Sequence, residues 1–106
     1  VEKLVVASSM SLYGEGAYVD EQGQPRTAAP RSQQRLRDGD WECRDAEGRP
    51  LRPVPTPETK PAEPSSVYAL SKYDQERLCL IVGEAYNIPT TALRFFNAYG
   101  PRQALS

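Results

Sequence analysis

Histidine is missing altogether from these 106 residues, which removes the commonest general base and metal ligand. Any catalysis therefore runs on Tyr, Lys, Ser, Asp or Glu. Cysteine is scarce: Cys43 and Cys79 form no C-x-x-C pair, and the further ligands of a zinc site are missing. Two free thiols in a reducing compartment are expected, and no metal. No charge of one sign dominates, with 13 Lys+Arg against 14 Asp+Glu, so a nucleic-acid or polybasic membrane footprint is not supported. No apolar run approaches the roughly 18–20 residues of a membrane span, and no basic-then-apolar leader opens the chain. These absences point to a soluble, cytoplasmic protein. Apolar residues are also few, at 39%, while 10 Pro and 7 Gly imply much loop.

Composition divides the chain into three. Val1-Glu2-Lys3-Leu4-Val5-Val6-Ala7 reads as a strand, and its Val-rich apolar run suits a parallel strand covered on both faces. It has no initiator Met before it, and the chain stops at Pro101-Arg102-Gln103-Ala104-Leu105-Ser106 without a cap or tail. Both ends look cut, so a fragment of a larger protein is expected. Residues 20–64 hold eight of the ten prolines and only nine apolar residues in 45. Such a stretch is expected not to form a core of its own. It reads as a long loop insertion, laid over a larger body or mobile, with Trp41 and Leu51 as anchors. Within it a helical turn is expected around Arg31–Arg37, and a polyproline-type segment at residues 52–57.

The third part is ordered. Pro64-Ser65-Ser66 supplies a stop and a serine N-cap for a helix. From Val67 to Tyr86 there is no Pro, and Val67, Leu70, Leu78, Ile81, Val82 and Ala85 recur at helical spacing. Asn87 suits a left-handed C-cap, and Pro89 cannot continue the helix. Thr90 to Phe96 is β-branched and aromatic, a second strand. Strand, helix, strand is a βαβ unit of an α/β fold, expected to be right-handed, with its ligand face at the C-terminal ends of the strands.

Three polar constellations fall on that face. Ser8-Ser9-Met10-Ser11-Leu12-Tyr13-Gly14 places hydroxyls where the first strand ends. Tyr68-Ala69-Leu70-Ser71-Lys72 sets a phenol and an ammonium on one helix face, about 5–6 Å apart at Cβ. There a nearby ammonium stabilises a phenolate, so Tyr68 can accept and return a proton. Arg94-Phe95-Phe96-Asn97-Ala98-Tyr99-Gly100-Pro101-Arg102 closes the second strand. Each alone is ordinary turn or packing chemistry.

In this order the three motifs resemble the extended short-chain dehydrogenase/reductase family, and within it the NAD-dependent nucleotide-sugar epimerases and dehydratases. The resemblance covers residues 3–14 and 61–106. It implies the second half of a Rossmann-type, doubly wound parallel sheet, with residues 20–64 as a Pro-rich insertion. The Gly-rich first half and a C-terminal substrate domain would lie outside the chain, and no Gly-x-x-Gly-x-x-Gly loop is present. It further implies Ser9, Tyr68 and Lys72 as catalytic residues. Tyr68 would be the base, while Lys72 would bind the nicotinamide ribose and lower the phenol's pKa. Ser8, Tyr68, Lys72 and Phe95 would line the NAD site, and Ser9 and Asn97 would contact a nucleotide-diphosphate sugar. Phe96 would lie near the cofactor.

Family 4,6-dehydratases carry Asp-Glu after the hydroxyl residue, where this chain has Met10 and Ser11. Without that proton shuttle a 4-epimerase is expected, with dehydratase or decarboxylase, or a non-catalytic remnant, as alternatives. Trp41-Glu42 and Pro53-Val54-Pro55-Thr56-Pro57-Glu58 resemble an insertion in a bacterial subgroup that includes dTDP-rhamnose 4-epimerase-like proteins. Relatives often dimerise through the helix that spans residues 66–86 here, so a homodimer is implied.

Overall fold

The computed structural model describes residues 1–103; Ala104, Leu105 and Ser106, from the tail expected to be uncapped, lie outside the described residues. The elements are β1 (Leu4–Ser9), a 3₁₀ turn (Met10–Tyr13), β2 (Ala17–Val19), β3 (Pro25–Arg26), α1 (Gln33–Arg37), β4 (Arg52–Val54), α2 (Val67–Ala85) and β5 (Thr90–Phe95). They belong to two units. One joins Val1–Gly14 to the residues from Ala62 onward; the other is Glu15–Pro61.

In the first unit β1 and β5 pair in parallel, with register from Leu4↔Thr90 to Ser9↔Phe95. Adjacent parallel strands need a crossover, and α2 packs on both. Its ends follow local chemistry. The Ser66 hydroxyl accepts the Ala69 N–H at 3.1 Å, and Asn87 takes a left-handed φ of 53° just past the last turn. The expected βαβ order is therefore present, as a mixed α/β arrangement with a parallel sheet.

The contact surface of α2 differs from the expected stripe. The buried row is Ala69, Glu76 and Gly83, residues seven apart that recur on one side of a helix. Val67, Leu78 and Ile81 are instead 87%, 63% and 53% exposed. Two strands cover only the central row of a helix, and small residues there bring its backbone close, so the larger side chains flank outward. The same narrowness corrects the reading of β1. Val6 and Ser8 are buried, whereas Val5 on the opposite face is 53% exposed, because side chains alternate across the pleat and α2 covers one face.

Residues 15–61 depart furthest from expectation. They form a compact unit with an antiparallel sheet in the order β3-β2-β4, not an unstructured excursion. Leu51 is buried but Trp41 is 63% exposed, so apolar burial stays as sparse as the composition implies. Two aspartates supply the missing order by making the same turn. Asp20 Oδ1 accepts the N–H groups of Gln22 and Gln24 at 3.0 and 2.9 Å, and Oδ2 accepts Arg26 Nε at 2.7 Å. Asp45 Oδ1 accepts the N–H groups of Glu47 and Arg49 at 3.1 and 2.9 Å, and Oδ2 accepts Arg49 Nε at 2.7 Å. Backbone donors that would otherwise need a sheet or water are thus satisfied by carboxylates.

Part of the expected polyproline segment is strand β4. Pro53 lies opposite Tyr18 on an outer strand, where its missing N–H costs no ladder bond. The expected helical turn is α1, capped by the Ser32 hydroxyl, which accepts the Arg35 N–H at 3.2 Å. Both cysteines are free thiols. Cys43 Sγ lies 3.2 Å from the Tyr18 hydroxyl; that hydrogen bond, then burial, pushes the phenol up to about 12, so Tyr18 stays protonated.

The closest helix-to-strand approach is at Gly83. A Cβ added there would stand 2.8 Å from Thr90 Cβ and 3.0 Å from the Ile88 carbonyl oxygen, besides meeting Thr90 Oγ1. Backbone cannot step aside as a flexible side chain can. Gly83→Ala is therefore expected to lower unfolding free energy by about 1–3 kcal/mol despite its better helix propensity, as overpacking does. Urea denaturation of the full-length protein measures it.

Candidate active site

Three segments of the first unit converge at the C-terminal ends of β1 and β5. In parallel sheets that edge is where ligands bind. Ser9, the last residue of β1, is paired in register with Phe95, the last of β5. It is buried and begins the 3₁₀ turn, its Oγ accepting the Ser11 N–H at 3.2 Å and the Ser11 hydroxyl at 2.9 Å. Gly14 closes the turn with φ 63°, and a Cβ there would lie 2.7 Å from the Glu63 carbonyl oxygen. Glu63 N–H in turn donates to the Leu12 carbonyl at 2.8 Å. The segment that leads into α2 is thereby tied to the turn that follows β1.

Lys72 crosses from α2 to β1. Its Nζ donates to the Ala7 carbonyl at 2.9 Å and to Gln75 Oε1 at 3.2 Å. An ammonium has three protons, so one remains for a ligand oxygen. Tyr68 sits one turn earlier on α2 and is 57% exposed. Lys72 thus joins the Ser9 strand through Ala7, two residues before the hydroxyl. Among the described residues the hydroxyls of Ser9 and Tyr68 are not bonded to each other.

The remaining expected residues separate. Ser8 is 4% exposed and lies against Glu76 of α2. Its Oγ has no hydrogen bond of good geometry, although it lies near enough to Glu76 to help hold that carboxylate charged. Phe95 and Phe96 are 56% and 64% exposed. Asn97 is exposed two positions beyond the end of β5.

Sequence reasoning passed over the group that fixes these parts. Arg94 Nη2 and Nε donate to Glu76 Oε1 and Oε2 at 2.7 and 3.1 Å, a two-pronged pair. Arg94 Nη1 donates to the Tyr13 hydroxyl at 2.6 Å, and the guanidinium carbon lies 4.9 Å from the Tyr13 ring centroid. One side chain from β5 therefore grips α2 and the turn after β1. Glu76 is 2% exposed and Tyr13 5%. The guanidinium holds the Glu76 carboxyl below its ordinary value of 4.5 despite burial, and the carboxylate raises Arg94 in return. A usable signal was present: Glu76 sits midway between Ala69 and Gly83 on the row that must face the sheet. Arg94 shares the inward parity of Ala92 on β5.

The model of the NAD-dependent epimerase/dehydratase family matches residues 46–106, which include α2 and β5 but not β1 or the Ser9 turn. This chain belongs to that family. It is similar over its whole length, at 33% identity, to dTDP-L-rhamnose 4-epimerase of Burkholderia thailandensis, of which it covers 28%. It is 45% identical over 40 residues to the uncharacterized UDP-glucose epimerase YtcB of Bacillus subtilis, covering 38% of this chain and 13% of that protein. It is also 47% identical over 38 residues to Protein CapI of Staphylococcus aureus, covering 36% of this chain and 11% of that protein. No solved structure matches the chain. Among the described residues no helix is long and apolar enough to cross a membrane.

A carboxylate with a depressed pKa stabilises the fold fully above its ordinary value, and that contribution is lost as pH falls through the folded-state value. Glu76→Gln, which removes the carboxylate that Arg94 grips in a two-pronged pair, is expected to cost about 3 kcal/mol at pH 7. The gap between variant and wild type should narrow as the pH is taken below 4.5, the ordinary value. Urea titrations of the full-length protein across that range test both the size and the sign.

Proposed function

We propose that the chain is the catalytic segment of a nucleotide-sugar 4-epimerase. One observation carries the reading. Lys72 is hydrogen-bonded to the Ala7 carbonyl at 2.9 Å, which puts an ammonium on the strand that ends in the Ser9 hydroxyl, one helical turn from the exposed Tyr68 phenol. A proton acceptor, a cation and a hydroxyl at one strand edge are what the reversible oxidation of an alcohol requires. In this reading Tyr68 takes the proton of the sugar 4-hydroxyl and returns it. Ser9 hydrogen-bonds the same oxygen, and Asn97 meets the phosphates.

The family's NAD fits the residues present at its ribose end. The unspent proton of Lys72 and the Tyr68 hydroxyl would hold the ribose, and the exposed Phe95 ring lies in register beside Ser9. Its pyrophosphate end calls for a Gly-rich loop at a helix N-terminus, which these residues lack. The chemistry that NAD supplies when bound is reversible hydride acceptance. Since the chain spans 28% of its full-coverage relative, we read it as part of a Rossmann domain. The Gly-rich half and the substrate domain would be contributed by the rest of a longer protein. In that context residues 20–64 would be an insertion in the domain.

Epimerase is favoured over dehydratase by the turn itself. Met10 and Ser11 follow Ser9 there, so the two positions after the hydroxyl residue carry no carboxylate. Glu15, the next acid along the chain, is held by Arg31 at 2.9 and 3.0 Å. The name of the Burkholderia relative supports a deoxysugar linked to a nucleoside diphosphate as substrate. The exposed Leu70, Leu78, Ile81 and Val82 of α2 suit a homodimer through that helix, and the two free thiols suit the cytoplasm.

Tyr68→Phe in the full-length protein is expected to lower epimerisation at least about 100-fold, with NAD still bound through its other contacts. Undiminished turnover would refute the assignment. A stable 4-keto-6-deoxy product from the wild type would move it to the dehydratases.

A further inference from the structure

We propose that Ser11 is a positioning residue that makes Ser9 a pure hydrogen-bond donor toward substrate. The inference rests on the epimerase reading and adds to it a residue that orients Ser9. A serine hydroxyl has one proton and two lone pairs. Ser9 Oγ accepts the backbone N–H of Ser11 at 3.2 Å and the side-chain O–H of Ser11 at 2.9 Å. Both lone pairs are then filled from one side, by one residue. All that Ser9 has left to offer is its own proton.

Three consequences follow from that geometry. The Ser9 rotor is fixed, because turning it would break bonds to a half-buried turn. Its proton is left for an acceptor outside the turn. Accepting two hydrogen bonds also polarises the O–H bond, which strengthens it as a donor to a developing oxyanion. Ser9 cannot at the same time take a proton, so the role of base falls to Tyr68, whose hydroxyl is exposed.

Both bonds to Ser9 come from within the turn itself. The backbone of Ser11 has its own role, its carbonyl accepting the Gly14 N–H at 3.2 Å, and that bond survives any substitution of the side chain. Ser11 is only partly buried, so removing its hydroxyl opens no cavity. Ser11→Ala therefore deletes one of the two bonds to Ser9 and little else.

The test compares Ser11→Ala, Ser11→Thr, Ser9→Ala and the Ser9→Ala/Ser11→Ala double variant in the full-length protein with NAD and a nucleoside diphosphate sugar it turns over. Ser11→Ala is expected to lower kcat about tenfold, the worth of one good hydrogen bond. KM, bound NAD and the urea midpoint should stay unchanged, and Ser11→Thr should restore the rate. In the Ser9→Ala background the Ser11 change should have no further effect, since it acts through Ser9. An unchanged or raised kcat in Ser11→Ala would overturn the proposal. So would an equal loss with and without Ser9, or failure of threonine to rescue. If the wild type turns over no nucleoside diphosphate sugar, or if Tyr68→Phe remains active, the epimerase reading itself fails. A Tyr68-dependent enzyme indifferent to Ser11 fails this inference alone.

Discussion

The convergent edge depends on one charge pair, between a buried Glu76 and a partly exposed Arg94. Arg94 reaches from β5 to Glu76 on α2 and to Tyr13 in the turn after β1, so a single guanidinium ties β5 to the two segments that carry Ser9 and the Tyr68–Lys72 pair. An apolar contact would hold the helix near the sheet but would leave its rotation and register loose. A two-pronged ion pair fixes both, at the cost of desolvating two charges. The registry role fits the placement of Glu76 midway along the buried row of α2, between Ala69 and Gly83.

The rest of the site is ordered from that pin outward. Gly83 lets the helix lie close at its far end, while Lys72 bridges to the Ala7 carbonyl near its beginning. The two contacts lie on either side of Glu76, so tilt as well as rotation is constrained. Ser9 receives its orientation from its own turn. Tyr68, outside this network, remains open to whatever lies over the strand edge. Rigid partners around one exposed phenol are what a reversible proton transfer needs: a fixed frame and one group free to meet its substrate.

Much of this could be read from residues alone, and the failures have physical causes. The cap at Ser66, the left-handed Asn87 and the β-branched run at Thr90 act locally, so α2 and β5 came out as expected. The three motifs placed the chain in its family because each marks an element end, where backbone geometry and chemistry coincide. Periodicity misled on the buried face of α2. It counts apolar residues, while a two-stranded sheet selects the row with the smallest backbone separation. Residues 20–64, expected as a loop insertion, fall largely in the compact unit 15–61 because Asp20 and Asp45 do with carboxylate-to-backbone bonds what a core would do with apolar area, and a scale of hydrophobicity cannot register that. Arg94 and Glu76 were missed because charged residues on a strand and a helix read as solvated until the pairing is seen.

The central claim is that Ser9, Tyr68 and Lys72 serve inversion at one sugar carbon by oxidation and re-reduction at the same atom. Its most direct test is to run the full-length protein on a panel of nucleoside diphosphate sugars in deuterated water and analyse the products by NMR and mass spectrometry. The account predicts a 4-epimer that carries no solvent deuterium on carbon, because the C4 hydrogen is returned and only hydroxyl protons pass through Tyr68. A product that carries deuterium on carbon, or one that has lost its 6-hydroxyl, would contradict it.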